Sequence, residues 1–464
     1  MPAPLPSVPA LDQMPRRQQH TLAMGLLAQT RGEYVEALRC YIAGHRRDPN
    51  DFLCLYFAGL VAFQLKRKDV AIRLMTASLH RNPAHPEAWY NLGKFYQDQA
   101  NLQKAMECYV AALEHRSDFG QALVNLGNVA WELGDESMAE ECYNGALTAK
   151  EGGPEAVYNL SFLLQLRGEW PKAFEAMEAR WQCAGYYVEY RKPFMEDLPK
   201  WKGQPMGEGQ RLLWHGEQGV GDILQMLRYV PQAVAITQNR ITVAVFDSMV
   251  RLVEAAFPGL RVIGTEGDIS DCTHQHPSMS SPYIAKTSWE NIPPNAPYLV
   301  AEPILPKSST FRIALCWAGS PNHPRDKTRS IAFTELAPVL SADVEWVNIQ
   351  VGDRALDWVG QAPRDPIAAV GEGDYLDTAR VLVSCDLVIT VDTSVAHLAG
   401  ALGVPCWMLV ARFPDVRWQL EKPDTVWYPS FQLLRQTKAG EWGELIRIVQ
   451  QLLDCKIALR DKGL

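Results

Sequence analysis

No pair of cysteines stands at C-x-x-C spacing in this chain, although it holds 10 of them. No set of histidines and cysteines has metal-site spacing, and the Asp-x-Asp pattern is absent. There is thus no reason to expect a bound metal. Cys40, Cys108 and Cys142 share one phase of a repeat and read as small buried helix residues, neither ligands nor disulfide partners. That usage fits a reducing, cytoplasmic setting. A block of basic charge is missing too: 45 basic and 53 acidic residues give a net charge of −8, which argues against a nucleic-acid partner. No apolar run approaches the ~18 residues of a membrane span. Residues 1–17, with Pro2, Pro4, Pro6, Pro9 and Pro15, lack the basic-then-apolar order of a signal peptide and read as a flexible lead-in.

What the chain does have is a beat. Alanine recurs at Ala37, Ala71, Ala105, Ala139 and Ala173, a constant spacing of 34. Leu92-Gly93 returns as Leu126-Gly127, Tyr109 as Tyr143 and Ala112 as Ala146, while Pro49 and Pro83 close units. A 34-residue period is the signature of tetratricopeptide repeats, helix–turn–helix units that bury their apolar faces by stacking on neighbours. Glycine at 93 lets the two helices of a unit approach. About five repeats are expected over 18–185. Such an array is a binding surface without chemistry of its own.

After Trp181 the period fails, and 186–207 reads as a connector rich in proline and glycine. From Gln210 short apolar runs alternate with helical patterns. Strands are expected at 211–215, 241–246, 261–263, 311–317, 344–350, 387–391 and 404–410. Helices are expected at 222–230, 248–256 and 377–383. That alternation predicts a parallel α/β architecture. The proline-rich stretch 293–306 divides it into two Rossmann-like lobes, 208–306 and 307–464.

In open parallel sheets ligands bind beyond the carboxyl ends of strands, often at helix N-termini. Three segments have that form. In the first, a strand runs into Gly216-Glu217-Gln218-Gly219-Val220-Gly221, and a helix begins at Asp222 and continues through Gln225. Asp222 is either a helix cap or a general base. The glycines do not form G-x-G-x-x-G. In the second, Asp392-Thr393-Ser394 ends a buried strand and opens a small-residue helix carrying His397, so that hydroxyls and amides face either a diphosphate or nothing. His397 faces the same ligand or a partner in the core. The third follows the strand ending at Trp317: Gly319, then Arg325, Lys327, Arg329 and Ser330, a cationic loop suited to a leaving diphosphate or simply solvated. Gln350, at another strand end, is a candidate base or ribose contact.

Together, the Gly216–Asp222 loop, Trp317-Ala-Gly with Arg329-Ser330, and Asp392-Thr393 with His397-Leu398-Ala399 resemble bacterial tetratricopeptide proteins fused to a GT-B glycosyltransferase module. That module is similar to the lipopolysaccharide heptosyltransferases of glycosyltransferase family 9. The resemblance covers about 208–440. It implies a nucleotide-sugar donor on the C-terminal lobe, with Asp392, Thr393 and Ser394 around the diphosphate. It also implies Asp222 as acceptor base in an inverting, metal-independent transfer without a further cofactor. Where the heptosyltransferase pattern commonly has glycine after Asp-Thr, this chain has Ser394.

The overall layout also resembles the protein O-GlcNAc transferases, in which a ladder of asparagines on the repeats grips extended polypeptide. Asn91, Asn125 and Asn159 recur here at spacing 34. A carboxamide both donates to and accepts from a peptide backbone, so these residues either hold a protein acceptor on the concave face or serve between repeats. The expectation is a cytoplasmic glycosyltransferase acting on a protein recruited by the array. The alternatives are an inactive interaction scaffold and a transferase acting on a lipid-linked or polysaccharide acceptor. The array also offers a surface for self-association.

Overall fold

The computed structural model describes residues 16–149, 151–190, 192–293, 297–323, 325–358 and 373–461. The chain forms two compact units, 1–160 and 161–464. Among the described residues, no helix is long and apolar enough to cross a membrane.

The first unit is an α-solenoid. Its helices are α1 Arg16–Thr30, α2 Tyr34–Arg47, α3 Phe52–Gln64, α4 Lys68–Arg81, α5 Pro86–Asp98, α6 Leu102–His115, α7 Gly120–Glu132, α8 Glu136–Thr148 and α9 Gly153–Leu166, the last reaching across the unit boundary. Several starts are capped as their sequence dictates: Asp51 accepts from the amides of Leu53 and Cys54, Asn101 from Lys104 and Asp135 from Met138. The phased alanines Ala37, Ala71, Ala105 and Ala139 have no exposed surface. The glycine requirement is steric. A Cβ on Gly93 would stand 2.6 Å from the Tyr109 ring, and one on Gly127 2.6 Å from Tyr143. Each aromatic ring of a second helix thus fills the space a side chain on the first would need.

Of the two roles open to the asparagine ladder, the hydrogen bonds support the one between repeats. Asn91 Nδ2 donates to the Tyr56 hydroxyl of the preceding repeat at 3.1 Å and to the Glu87 carbonyl at 2.8 Å. Asn125 bonds the side chains of Tyr90 and Tyr109 in the repeat before it. Asn159 Nδ2 donates to Asn128 Oδ1 at 2.8 Å. These half-buried carboxamides pin successive repeats together, because a buried tyrosine hydroxyl or amide left without a partner is costly. Asn91→Ala and Asn125→Ala are accordingly expected to lower the unfolding free energy of the first unit by about 0.5–1.5 kcal/mol each. Urea denaturation of the two variants checks this, and midpoints equal to the parent's would return the asparagines to solvent duty.

The second unit begins earlier than the sequence suggested. Residues 161–185 group with it, and the contacts give the reason. Trp170, in α10 (Trp170–Met177), stacks between Trp289 at 4.5 Å and Trp427 at 4.9 Å. Arg180 pairs with Glu217 at 2.7 Å. The expected connector is tied down as well: Trp201 N donates to Gln275 O at 2.9 Å, and Gln275 N to Pro199 O at 3.0 Å.

Two parallel sheets follow. The first has β1 Leu212–His215, β2 Ile241–Ala244, β3 Arg261–Ile263 and β4 His274–Pro277, in the order β3-β2-β1-β4. The second has β5 Arg312–Cys316, β6 Glu345–Asn348, β7 Leu387–Val391, β8 Cys406–Val410 and β9 Phe431–Arg435, in the order β6-β5-β7-β8-β9. Each sheet is all-parallel. β5 and β7 are buried along their whole length, as apolar runs in a doubly covered sheet must be. β4 and β9 were not foreseen. β4 reads His-Gln-His-Pro and is buried through hydrogen bonds: His215 Nε2 lies 3.0 Å from Gln275 Oε1, and His276 Nε2 3.0 Å from Ser281 Oγ. β9 is a sheet edge with Gln432 exposed.

Strand order reverses on either side of β1 and of β5. The crevices this creates lie at the carboxyl ends of β1 and β4 and of β5 and β7. Each of the three candidate segments leaves from one of those ends.

Candidate functional site

The loop after β1 is held from behind. The Glu217 side chain is buried and turned away from the strand end, with its two oxygens on Arg180 at 2.7 and 3.1 Å, and Tyr186 also donates to it. Gln218 takes a positive φ of 64° and donates to the Tyr186 hydroxyl at 2.9 Å. Arg180 has no exposed surface; besides Glu217 it holds Glu178 Oε1 at 2.7 Å and Ser280 Oγ at 2.8 Å. Glu217 and Gln218 therefore anchor the loop. Gly216 continues the sheet through its N–H to Ala244 O at 2.8 Å.

The helix after this loop is Val220–Met226, with Gly219 at its N-cap. Asp222 is its third residue, not its first, and Asp222 Oδ2 reaches back to accept from the Gly219 amide at 3.1 Å. Gly219 rather than Asp222 is thus the N-cap, and Asp222 caps back from the third position with one oxygen only. The other, Oδ1, accepts from Arg417 Nη2 at 2.7 Å. Gly221 is small because His397 is close: a Cβ there would lie 2.7 Å from the imidazole. The helix Val220–Met226 therefore packs on Ser394–Ala401, the helix after β7.

Arg417 organises this junction, and it was missed in the sequence. It lies in a short turn, Val416–Trp418, beyond the carboxyl end of β8. Nε donates to Asp415 at 2.8 Å, Nη1 to Gln225 Oε1 at 3.0 Å, and Nη1 also lies 3.3 Å from His397 Nε2. Only 16% of Arg417 and 18% of Asp222 is exposed, so solvent screens their bond less than it would a surface pair. Burial opposes ionisation of Asp415, but Arg417 outweighs it and brings the carboxyl down to about 2. Burial and then Arg417 hold the His397 ring well below its ordinary range. The imidazole is neutral, and since Nε2 faces an arginine N–H, Nδ1 carries the hydrogen and donates to the Tyr428 hydroxyl, 2.9 Å away. His397 is buried and serves this junction.

Beyond β7, Thr393 is the N-cap of Ser394–Ala401 and its hydroxyl makes no cap hydrogen bond. It sits 3.3 Å from Thr390 Oγ1. Ser394 Oγ accepts from the Tyr375 hydroxyl at 3.0 Å. Burial and the neighbouring Asp415 raise the Asp392 carboxyl, with Arg417 and Arg329 working in the other direction.

The segment after β5 divides into structural and available groups. The Trp317 ring is 1% exposed and packs against Phe333 and Trp358, so it belongs to the core and is no donor contact. Gln350 Oε1 accepts from the amides of Trp317 and Ala318 at 3.1 and 2.9 Å, and Nε2 donates to Ala318 O at 3.1 Å. Its carboxamide braces the loop, and an amide, having no basic atom, cannot serve as a general base. Ser330 Oγ accepts from Gly319 N at 3.0 Å and donates to Asp326 at 2.6 Å, and Asp326 pairs with Arg354 at 2.6 Å. Arg329 differs from these. Its guanidinium lies so close over Gly319 that a Cβ would approach Nη2 to 2.6 Å, Nη1 donates to Asp392 O at 2.9 Å, and Nε is buried without a partner. Lys327 is exposed.

The structure thus brings Asp222, Gln225, Gly221, His397, Arg417 and Asp415 into one cluster. Asp392 and Arg329 act on it electrostatically. Glu217, Gln218, Trp317, Ser330 and Gln350 are left in supporting roles. Among the described residues no group of acidic, histidine or cysteine side chains has the arrangement of a metal site.

Tetratricopeptide-repeat models match residues 22–78, 86–119 and 120–152. The N-terminal region is an array of tetratricopeptide repeats. The chain is 25% identical over 331 residues to protein FlbA of Caulobacter vibrioides, a match covering 61% of this chain and 52% of FlbA. It is 29% identical over 90 residues to human tetratricopeptide repeat protein 7A, covering 19% of this chain and 10% of that protein. The chain therefore spans about half the length of FlbA and a tenth of the human protein. The FlbA match covers more of the chain than the repeat array occupies, so it extends into the second unit. Among solved structures, MamA is similar at a TM-score of 0.32 and 21% identity, over 36% of this chain and 98% of MamA.

Proposed function

We propose that the second unit is a GT-B glycosyltransferase module of two Rossmann-like lobes. On this reading it moves a sugar, with inversion, from a nucleotide-sugar donor to a hydroxyl of a protein bound by the repeat array. One observation carries the reading: Asp222, beyond the carboxyl end of β1, and the helix start beyond β7 are joined through Arg417 at the ends of two separate parallel sheets. That is where an acceptor base from one lobe and a donor site on the other have to meet.

In the reaction, Asp222 takes the proton of the acceptor hydroxyl as its oxygen bonds the anomeric carbon. The bond from that carbon to the diphosphate oxygen breaks, and the electron pair leaves with the nucleotide. Arg329, with its free Nε–H, and the first amides of Ser394–Ala401 meet that charge. Asp392 and Thr393 shape the same end of β7. Repeats of this kind commonly serve protein contacts, which supports a protein acceptor.

A second reading, an interaction scaffold without catalysis, is favoured by the fact that both oxygens of Asp222 are already bonded. Thermal-shift measurements with a panel of nucleotide sugars separate the two. A donor at a hundredfold excess over its dissociation constant adds roughly 2.7 kcal/mol to the stability of the second unit. No shift with any nucleotide sugar would leave the scaffold standing.

A further inference from the structure

We propose that Asp222 and the diphosphate of the donor compete for Arg417, so that donor binding and release of the acceptor base are one event. The inference rests on the reading of this cluster as a nucleotide-sugar site and adds an order to it: donor first, proton transfer afterwards.

The argument begins with what Arg417 touches. Among the described residues its guanidinium bonds both sides of the cluster: Asp222 and Gln225 from the helix after β1, and His397 from the helix after β7. His397 stands three positions beyond Ser394, one helical turn from the end that would face a diphosphate. The Nε edge is fastened separately, to Asp415, whose carboxylate also caps the turn by accepting from Arg417 N at 3.1 Å. Asp415 stays ionised to about pH 2, so that anchor persists. With Nε held, the two Nη groups are the part that can change partner, and a fork of this kind bonds phosphate as readily as carboxylate.

Charge supplies the reason to change. Asp222, Asp392 and Asp415 all act on Arg417. A diphosphate arriving beside three carboxylates is repelled unless cations turn towards it. Arg329 spends one nitrogen on Asp392 O and keeps Nε free, so it supplies one cation; against three carboxylates a diphosphate needs a second, and Arg417 is the guanidinium already bonded across the cluster. When its Nη2 moves to phosphate, Asp222 Oδ1 loses its partner and gains a lone pair for the acceptor's proton, while Oδ2 stays on Gly219 N and keeps the carboxylate in place. The proton goes from acceptor hydroxyl to Asp222, the new bond forms to the anomeric carbon, and the departing diphosphate takes the electron pair next to Arg417.

The test uses the full chain and inorganic pyrophosphate as probe, with dissociation constants measured by calorimetry at low ionic strength. Competition predicts that Asp222→Asn, which removes the rival charge, binds pyrophosphate about tenfold tighter than the parent. Arg417→Gln should bind at least tenfold more weakly, and adding Asp222→Asn to it should change affinity by less than about twofold. If Arg417→Gln does not fold, Arg417→Lys replaces it. Lysine cannot hold Asp415 and Asp222 at once, so the gain from Asp222→Asn should again shrink to about twofold. An equal gain in both backgrounds would mean that Asp222 repels the anion directly; the competition would be overturned and the donor site kept. No gain from Asp222→Asn in the parent would overturn it likewise. A parent that does not bind pyrophosphate at all would remove the donor reading together with the competition.

Discussion

Asp222→Asn is expected to lower sugar transfer by ~10²–10⁴-fold while leaving the second unit folded. Asparagine still presents an oxygen to the Gly219 amide, and Arg417 retains Asp415, so no buried charge is orphaned. The stability change should stay within about 1 kcal/mol. Donor-induced stabilisation in a thermal shift should persist and grow, because the change removes a proton acceptor and a rival for Arg417 but no phosphate contact. The measurement is release of nucleoside diphosphate in the presence of acceptor. Transfer near the parental rate would make Asp222 only a cap and a partner for Arg417.

Acid should destabilise the second unit through two buried histidines. His215 and His276 are both almost fully buried beside β1 and β4, and burial pushes them down to about 4 and about 3. Between those values and the ordinary 6.5, the unfolded chain binds protons that the folded unit refuses. Stability is therefore fully present above about pH 6.5 and falls as pH drops towards 4. One pKa unit is about 1.36 kcal/mol, so at pH 4.5 each histidine costs roughly 2.7 kcal/mol. Asp415, held near 2, adds its own loss only below about pH 3.8, in the same direction. Hydrogen exchange at β1 and β4, followed between pH 7 and 4.5 and corrected for intrinsic rates, reads the effect. Protection that does not fall over this window would mean that the two histidines take protons in place.

The repeats were legible because their period is local. Alanine and glycine mark where helices touch, and Tyr109 and Tyr143 fill the space that Gly93 and Gly127 leave. The strands buried as apolar runs were equally readable, as were the loops at their carboxyl ends. β4 was invisible because its burial rests on hydrogen bonds between polar residues, and no apolar pattern records that. The site failed in a similar way. Sequence names a residue's chemistry but not its direction, and Glu217, Gln350 and Asn125 all spend their polar groups on neighbours. Arg417 escaped notice because its partners lie 195 and 192 positions away, at Asp222 and Gln225. The region beyond β8 also lacks the glycines that drew attention to the loop after β1.

The tryptophan sandwich has a consequence for how the protein is made. Trp170 emerges from the ribosome before either sheet exists, yet one of its two stacking partners is Trp427. Arg228 likewise waits for the Trp427 carbonyl, 199 positions on. The repeats can fold one after another as they appear, each against the last. The second unit must instead hold an indole covered on one face by Trp289 and a guanidinium bonded only to Gln225 and Tyr298 until almost the whole chain has been translated. A ribosome stalled shortly before residue 427 should therefore carry a finished array followed by an unfinished, chaperone-dependent remainder.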